Sequence, residues 1–218
     1  MANYGDMQSR IADEIADSTL TTQIQLAIQT AIKFYERREF YFNTKNSSFN
    51  TVANQEYYGA AALVDIPNLV RIKTMYYTYN SIRYPIVSAA NSDIDFTQNG
   101  QMIGQPQLFA YVDEQIRLFE IPDAVYSVTM NYIYRLTALS VSASENAWTD
   151  DGEELIRQRA KKIVAGDVLR DAGIYQAADQ FERDALRQLL METASRRSNL
   201  TLRTELSARG HYNVYTDT

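Results

Sequence analysis

The spacing of apolar residues changes twice along this chain, and these changes constrain its fold more than any single motif does. Near the N-terminus Met7, Ile11 and Ile15 recur every four positions, as on an amphipathic helix, and a second helical stripe follows the break DSTLTT. Between residues 46 and 136 the pattern changes to short β-rich runs, and helical spacing returns at residue 149. The sequence therefore predicts helices, a sheet, helices and a tail, in that order.

Neither the N-terminal nor the C-terminal pair of helices can bury its apolar side chains alone, so we expect the two pairs to pack against each other. The sequence therefore predicts an α+β fold with a helical-bundle body, a β-rich insertion and an extended C-terminal arm. The predicted segments are residues 1–45 for the N-terminal helices, 46–140 for the β-rich insertion, 141–197 for the C-terminal helices and 198–218 for the arm.

Local signals predict where several elements begin and end. Residues 116–134 are predicted to form two strands joined by a turn, and the segment AANSDIDFTQNGQMIGQP is predicted to form a short helix followed by a loop. Asp150, with Glu153 three residues later, predicts a capping box at the start of a helix that ends near Gly173. Turns are predicted at Asn80–Ser81, Asn99–Gly100, Asp113–Glu114 and Pro122–Asp123.

Composition excludes several classes of protein. The 218-residue chain carries a formal net charge of −6, which argues against a general nucleic-acid binder, because such domains are usually basic. The lack of cysteine excludes disulfides, thiolate nucleophiles and cysteine metal sites. The N-terminus does not resemble a signal peptide, and no stretch approaches the roughly 18 apolar residues of a membrane span. We therefore expect no membrane partner and a protein that stays where it is made.

The sequence contains no motif of a known active site. Its only histidine, His211, lies in the tail, so histidine metal clusters are impossible, and no glycine-rich phosphate-binding motif is present. Adjacent carboxylates would suit a hydrolase of cell-wall glycan, which needs two acids roughly 5–10 Å apart around a cleft. Solvated helix faces and helix caps account better for these pairs. They are Asp13–Glu14, Asp93–Asp95, Asp150–Asp151 and Glu153–Glu154.

Tyrosine is unusually frequent in the β-rich segment, and the chain has 16 tyrosines against 8 phenylalanines. A strand must point successive side chains to opposite faces, so one set of tyrosines is expected in a core and the other at a surface. The surface set either places its hydroxyls in water at the edge of the sheet or forms a protein interface, where tyrosine is enriched. We favour the interface, for which the candidates are Tyr76, Tyr77, Tyr79, Tyr132 and Tyr134.

The last segment, residues 198–218, has no sustained apolar period. Alone it cannot bury enough apolar area to offset its ordering entropy, so it is predicted to be disordered or ordered by a partner. Arginine and tyrosine most often anchor interfaces, and the predicted anchors are Arg203, Arg209, Tyr212 and Tyr215.

Three segments in this order carry a resemblance to a known family. They are LTTQIQLAIQTAIKFYERREFYFNT, the sheet sequence GQPQLFAYVDEQIRLFEIPDAVYSVTMNYIYRLTAL and the helix start ENAWTDDGEELIRQRAKKIVAGDVLRD. Together they resemble the head-to-tail adaptor (connector) proteins of tailed bacteriophages, with the closest similarity to adaptors of podovirus-type particles. The similarity extends from about residue 4 to residue 195.

This resemblance implies a structural protein rather than an enzyme, with no catalytic residue, cofactor or metal. It implies a ring of twelve copies in the neck of the virion, assembled in the host cytoplasm. The implied partners are neighbouring subunits, the portal protein above the ring, and a tail or nozzle protein below it. DNA would pass through the channel without specific binding, and the arm would hold the portal. Two alternatives remain. One is a different structural component of the tail or baseplate, which would use the same kinds of protein contact as an adaptor, and the other is the glycan hydrolase.

Overall fold

The computed structural model describes residues 3–96 and 102–197, except for the side chains of Phe96 and Arg197. The chain divides into two compact units. The helical unit comprises Met1–Ile32, Phe40–Phe42 and Leu139–Thr218, and the sheet unit comprises Lys33–Glu39 and Asn43–Ala138. The predicted arm lies outside the described residues.

The sheet unit is built on a curled seven-stranded sheet with the strand order β1-β9-β3-β4-β6-β7-β2. The pair β4–β6 is parallel, and the other pairs in this sheet are antiparallel. A parallel pair, β5–β8, forms a separate two-stranded sheet, and α3 (Asn91–Phe96) completes the unit. The strands are β1 Thr44–Asn50, β2 Tyr57–Tyr58, β3 Leu69–Tyr79, β4 Ile82–Ser88, β5 Ile103–Gly104, β6 Leu108–Val112, β7 Gln115–Phe119, β8 Ile121–Pro122 and β9 Ser127–Tyr134.

Alternation of side chains along the strands gives this sheet its own core. Along β9, Val128, Met130 and Tyr132 are completely buried, and they lie in register with strands on both sides. Burial of such side chains is the main favourable term in folding, at about 1.5–3 kcal/mol for each large aliphatic or aromatic residue. The sheet core consists of Phe49, Tyr58, Ile66, Leu69, Met75, Tyr77, Ile86, Phe109, Ile116, Leu118, Tyr126, Val128, Met130 and Tyr132.

Two tight turns close the hairpins of the sheet. Asn80 and Ser81 join β3 to β4, and Asp113 and Glu114 join β6 to β7, all four with positive φ angles between 48° and 64°. Positive φ at both central residues is typical of the type I′ turn, whose twist matches the twist of the flanking strands. Both predicted hairpin turns are therefore confirmed, whereas Asn99–Gly100 lies outside the described residues.

The strands predicted within residues 116–134 are present, but they are not neighbours. β7 pairs with β6 and β2, whereas β9 lies between β1 and β3. The connection between them includes the short strand β8 at Ile121–Pro122. β7 and β9, which are close in the chain, are thus separated by three other strands in the sheet.

The helical unit contains α1 (Tyr4–Glu14), α2 (Thr21–Tyr35, as far as Ile32), α4 (Glu153–Val164) and α5 (Ala172–Arg197). α1 contacts α4, and α4 packs along α5. The buried stripe of α1 is Tyr4, Met7 and Ile11, which follows the spacing of an amphipathic helix. Trp148 is also buried, and its ring lies edge-on to Phe40 and Phe42 at centroid distances of 5.8 and 4.9 Å.

The prediction of a helical-bundle body with a β-rich insertion is wrong. The chain is α+β, but its strands form a substantial sheet with a core of its own, so the β-rich segment is not an insertion in a helical-bundle body. The apolar period of the helices showed that another element must cover their apolar side chains. It could not show that the strands were sufficient to enclose a core themselves.

Two predicted helix ends are also wrong. Gly152, not Asp150, is the N-cap of α4, and no side chain caps this helix. A side chain at Gly152 would collide with the indole, because an added Cβ would lie 2.9 Å from Trp148 Cε3. The predicted helix end near Gly173 is also wrong, because the helical backbone breaks earlier, at Arg170, which adopts a left-handed conformation. The carboxylate of Asp171 then accepts hydrogen bonds from the first amides of α5.

Candidate interaction surfaces

Two of the predicted interface tyrosines lie in the sheet core. Tyr77 is 3 % exposed and stacks on Tyr84 at a ring-centroid distance of 5.1 Å, while its hydroxyl donates to Gln105 Oε1 at 2.7 Å. Tyr132 is completely buried, and its hydroxyl donates to Asp65 Oδ2 at 2.8 Å. Buried tyrosines generally find a partner for the hydroxyl, since leaving it unpaired is costly. These two residues contribute to the packing of the sheet.

Burial and nearby carboxylates suppress ionisation of the core tyrosines. Burial raises the pKa of Tyr132 to about 12, and the Asp65 carboxylate adds to this shift. Burial likewise raises the pKa of Tyr126 to about 12, reinforced by its hydrogen bond to Asp123. The pKa of Asp65 is lowered, chiefly by its hydrogen bond with Lys45 and also by the Tyr132 hydroxyl. The hydroxyls in the core are therefore neutral donors at physiological pH.

The other three candidates lie at or near the surface of the sheet unit. Tyr76 is half-buried under the guanidinium of Arg83, which lies 5.0 Å from the ring centroid, and Tyr134 is half-buried beside Lys45 at 5.6 Å. Tyr79 is 43 % exposed at the tip of the β3–β4 hairpin. The interface role of the five tyrosines stays a prediction, and Tyr79 is the member with the most exposed side chain.

Tyr79 is one of four exposed apolar residues at the same end of the sheet. The register places Asn50 of β1, Ser127 of β9 and Thr78 of β3 side by side, so the residues just beyond these strand ends are neighbours. They carry exposed apolar side chains, and Tyr79 also pairs across the hairpin with Ile82. We name this surface the strand-end rim, and it consists of Val52 (53 % exposed), Tyr79, Ile82 (56 %) and Val125 (67 %).

A second exposed apolar surface lies on α5. The side of this helix that carries Ala178, Ala185 and Leu189 is buried, whereas Leu190 and Met191 are 39 % and 64 % exposed. The exposed side chains recur at helical spacing and line a shallow groove on the opposite side of the helix. We name this surface the α5 outer face, and it consists of Arg183, Leu186, Arg187, Leu190, Met191 and Ala194.

The C-terminal end of α5 is held in the helical unit just before the predicted arm begins. The guanidinium of Arg196 lies 3.7 Å from the centroid of the Tyr41 ring and also pairs with Glu192 at 2.6 Å. Burial raises the pKa of Tyr41, with a further contribution from Asp151. The predicted anchors Arg203, Arg209, Tyr212 and Tyr215, and also His211, lie outside the described residues.

Several of the adjacent carboxylates are held in ion pairs. Glu14 contacts Arg157 and also Lys161, the latter at 2.8 Å, and Arg157 additionally contacts Glu153 and Glu154. Burial raises the pKa of Glu153, and Arg10 opposes this shift. The pairs Arg10–Glu153 and Glu14–Arg157 join α1 to α4 and fix these helices against each other.

A similar network occurs in the sheet unit. Asp95 pairs with Arg117 at 2.5 Å, and this nearly buried guanidinium also contacts Glu56 and Asn91. The pairs connect α3 to β7, which gives Asp95 a structural role. Among residues 3–96 and 102–197, no group of acidic residues has the arrangement of a metal site, and no helix is long and apolar enough to cross a membrane.

Sequence reasoning missed both exposed apolar surfaces. On α5 the signal was present, because Leu186, Leu190 and Ala194 form a second set at helical spacing beside the buried one. In the strand-end rim no signal was available, because Val52 and Val125 lie in loops just outside the strands and become neighbours only through the pairing of β1 with β9.

Exposed apolar surfaces of this kind are typical of proteins that contact other macromolecules, and among residues 3–96 and 102–197 each unit carries such a surface. The described residues thus offer surfaces suited to contact with other macromolecules.

The comparison with protein families gives a more specific assignment. The SU10 adaptor protein family matches residues 2–205, nearly the whole chain, and the chain belongs to this family. The predicted resemblance to phage adaptor proteins is confirmed at this level, and the protein is a structural component of a phage. A comparison with curated proteins found no match.

Proposed function

We propose that this protein is the head-to-tail adaptor in the neck of a tailed phage, of the podovirus type. In this proposal twelve copies form a ring beneath the portal, assembled in the host cytoplasm, and the ring extends the DNA channel and receives a tail or nozzle protein. DNA passes through the channel without specific binding. The observation that carries the proposal is the family match over residues 2–205.

The distribution of exposed apolar residues supports an adaptor that contacts more than one neighbour. A ring subunit between two assemblies needs contacts with its own copies, with the portal and with the tail, and a single surface would not serve all three. The strand-end rim lies on the sheet unit and the α5 outer face lies on the helical unit. We assign the strand-end rim, through Tyr79, to a contact with a neighbouring subunit or with the tail.

The arm, residues 198–218, is proposed to bind the portal. It follows directly after α5, whose last turn is held by the contacts of Arg196 with Tyr41 and Glu192. An arm that starts from a fixed helix end begins at a defined position, which reduces the conformational freedom lost on binding. The proposed portal contacts are Arg203, Arg209, Tyr212 and Tyr215.

The proposal is tested by binding of the purified chain to immobilised portal rings from the same phage. The full chain should bind, and a chain lacking residues 200–218 should not, while circular dichroism and the melting temperature stay unchanged. A full-length variant with the four proposed contacts changed to alanine should lose most of its binding as well. The matched control changes four other residues of the arm to alanine, namely Thr201, Thr204, Ser207 and Asn213, and should still bind.

The possible failures have different meanings. Full-affinity binding by the truncated chain would show that the portal site lies elsewhere. An absence of binding by the full chain, together with a cryo-EM reconstruction of the neck that lacks this protein, would contradict the adaptor function.

A further inference from the structure

We propose that the α5 outer face binds the N-terminal helix, α1, of a second copy of this chain. The inference rests on the proposed function, in which copies assemble side by side, and it names the two surfaces that meet. The contact is head-to-tail, because each copy contributes a different surface to each of its two neighbours. Head-to-tail contacts of identical subunits generate rings when the rotation closes.

The α5 outer face has the properties of a helix-binding surface. Its residues recur at intervals of three and four along the helix, the spacing at which one helix packs against another. The aliphatic side chains Leu186, Leu190 and Met191 lie beside two guanidinium groups. Arg183 forms an ion pair with Asp179 of its own helix, whereas Arg187 has no hydrogen-bond or ion-pair partner among the described residues. The surface therefore suits a partner that is apolar in part and negatively charged.

The exposed side of α1 provides the negative charge. Asp6, Ser9, Arg10 and Asp13 line a groove along this helix at the same three- and four-residue intervals, opposite the buried Met7 and Ile11. We name these four residues the α1 acidic face.

The charges and shape of the α1 acidic face complement those of the α5 outer face. Arg10 is already paired with Glu153, so the free charge of the α1 acidic face is negative. Ser142 and Asp6 line a second groove beside this helix, and Val141, which precedes Ser142 in the chain, is 62 % exposed. The small side chain of Ser9 would let a second helix approach closely.

The two faces cannot pair within one copy, because both helices already pack on α4. α1 is joined to α4 through Arg10–Glu153 and the contact of Arg157 with Glu14. α5 is joined to α4 through Arg159–Glu182, and its outer face is opposite the side that makes this contact. Two different surfaces of one unit that are complementary in charge point to a second copy as the occupant.

Cysteine cross-linking tests the contact directly, because the natural chain has no cysteine. Ser9→Cys places a thiol on the α1 acidic face, and Ala194→Cys places one on the α5 outer face; both positions are exposed and keep the charges intact. Each full-length variant is concentrated alone and in an equal mixture, without portal, and then oxidised. The mixture should yield a covalent dimer that neither variant yields alone, and the double variant should yield a ladder of higher oligomers.

Two further variants act as controls for position and for charge. Gln188→Cys lies on the same helix but off the α5 outer face, and with Ser9→Cys it should give no more dimer than background. Arg187→Glu in the Ala194→Cys chain should lower the yield of the mixed dimer on the order of tenfold, because two negative charges would then face each other. Asp13→Arg in the Ser9→Cys chain should restore the yield.

Each other outcome overturns the inference. A dimer from Ala194→Cys alone would show that two α5 outer faces meet. Equal cross-linking by Gln188→Cys would show random collision, and an absence of cross-linking in every mixture would show that the faces do not meet. The measurement omits the portal, so a failure of portal binding would reject the proposed function without deciding this contact.

Discussion

Replacement of Tyr132 by phenylalanine tests whether the tyrosines of the sheet are structural. The change keeps the buried ring and removes only the hydroxyl, which donates to Asp65 Oδ2 at 2.8 Å and contacts Ser47 Oγ at 3.1 Å. A hydrogen bond to a charged group contributes about 1.5–3 kcal/mol. Asp65 keeps Lys45 as a partner and its side chain is 18 % exposed, so water can replace part of the loss. We therefore expect a decrease of about 1–2 kcal/mol in the free energy of unfolding.

The pH dependence provides a second test of the same reasoning. The folded-state pKa of Asp65 is lowered, first by Lys45 and in part by Tyr132, so its contribution to stability is present above the unfolded pKa of about 3.9. That contribution is lost as the pH falls through the folded pKa. Tyr132→Phe raises this folded pKa, so the difference in stability between the two proteins should be largest at pH 7 and should shrink below about pH 4.

The assay is urea denaturation followed by far-ultraviolet circular dichroism at several pH values. Thermal melting should show a decrease of about 2–8 °C for a chain of this size. The matched control is Tyr134→Phe, two residues along the same strand, where the side chain is half-buried and the change should cost less than about 0.5 kcal/mol. If Tyr132→Phe is no more destabilising than Tyr134→Phe, the hydroxyl of Tyr132 does not stabilise the sheet and the reasoning is refuted.

Three further predictions concern packing, assembly and the channel. Gly152→Ala should destabilise the helical unit by about 1–3 kcal/mol, because its Cβ would lie 2.9 Å from the indole, and unchanged urea denaturation by Trp148 fluorescence would contradict this. The isolated protein should sediment largely as a monomer, because weak contacts gain strength when a portal ring presents all sites together; stable rings without portal would oppose this. A DNA-conducting bore should be acidic or neutral, since basic residues bind phosphate, and a cryo-EM map could disprove it by showing a bore lined by Arg37, Arg38, Lys161 and Lys162.

Local sequence was sufficient for many elements of secondary structure. The run LVRIKTMYYTY coincides with β3, Leu69–Tyr79, and the hairpin turns at Asn80–Ser81 and Asp113–Glu114 are where the sequence predicts them. These features depend on the intrinsic preferences of a few neighbouring residues, which a single sequence displays directly. The N-cap of α4 was mispredicted because the bulk of Trp148, which restricts Gly152, matters only in the packed unit.

The amino-acid sequence by itself determined the order of helical and β-rich segments, that tyrosines occur on both faces of the strands, and that the chain resembles phage adaptors. Only the tertiary structure decided that β7 and β9 lie apart, that Tyr77 and Tyr132 are buried while Tyr79 is exposed, and that Val52 and Val125 are neighbours. The physical reason is that a period of two places Tyr77 and Tyr79 on the same face of β3, but it does not state which face is covered or how far along the strand the cover extends. That choice is made by the strands that pair on either side, and these come from distant parts of the chain.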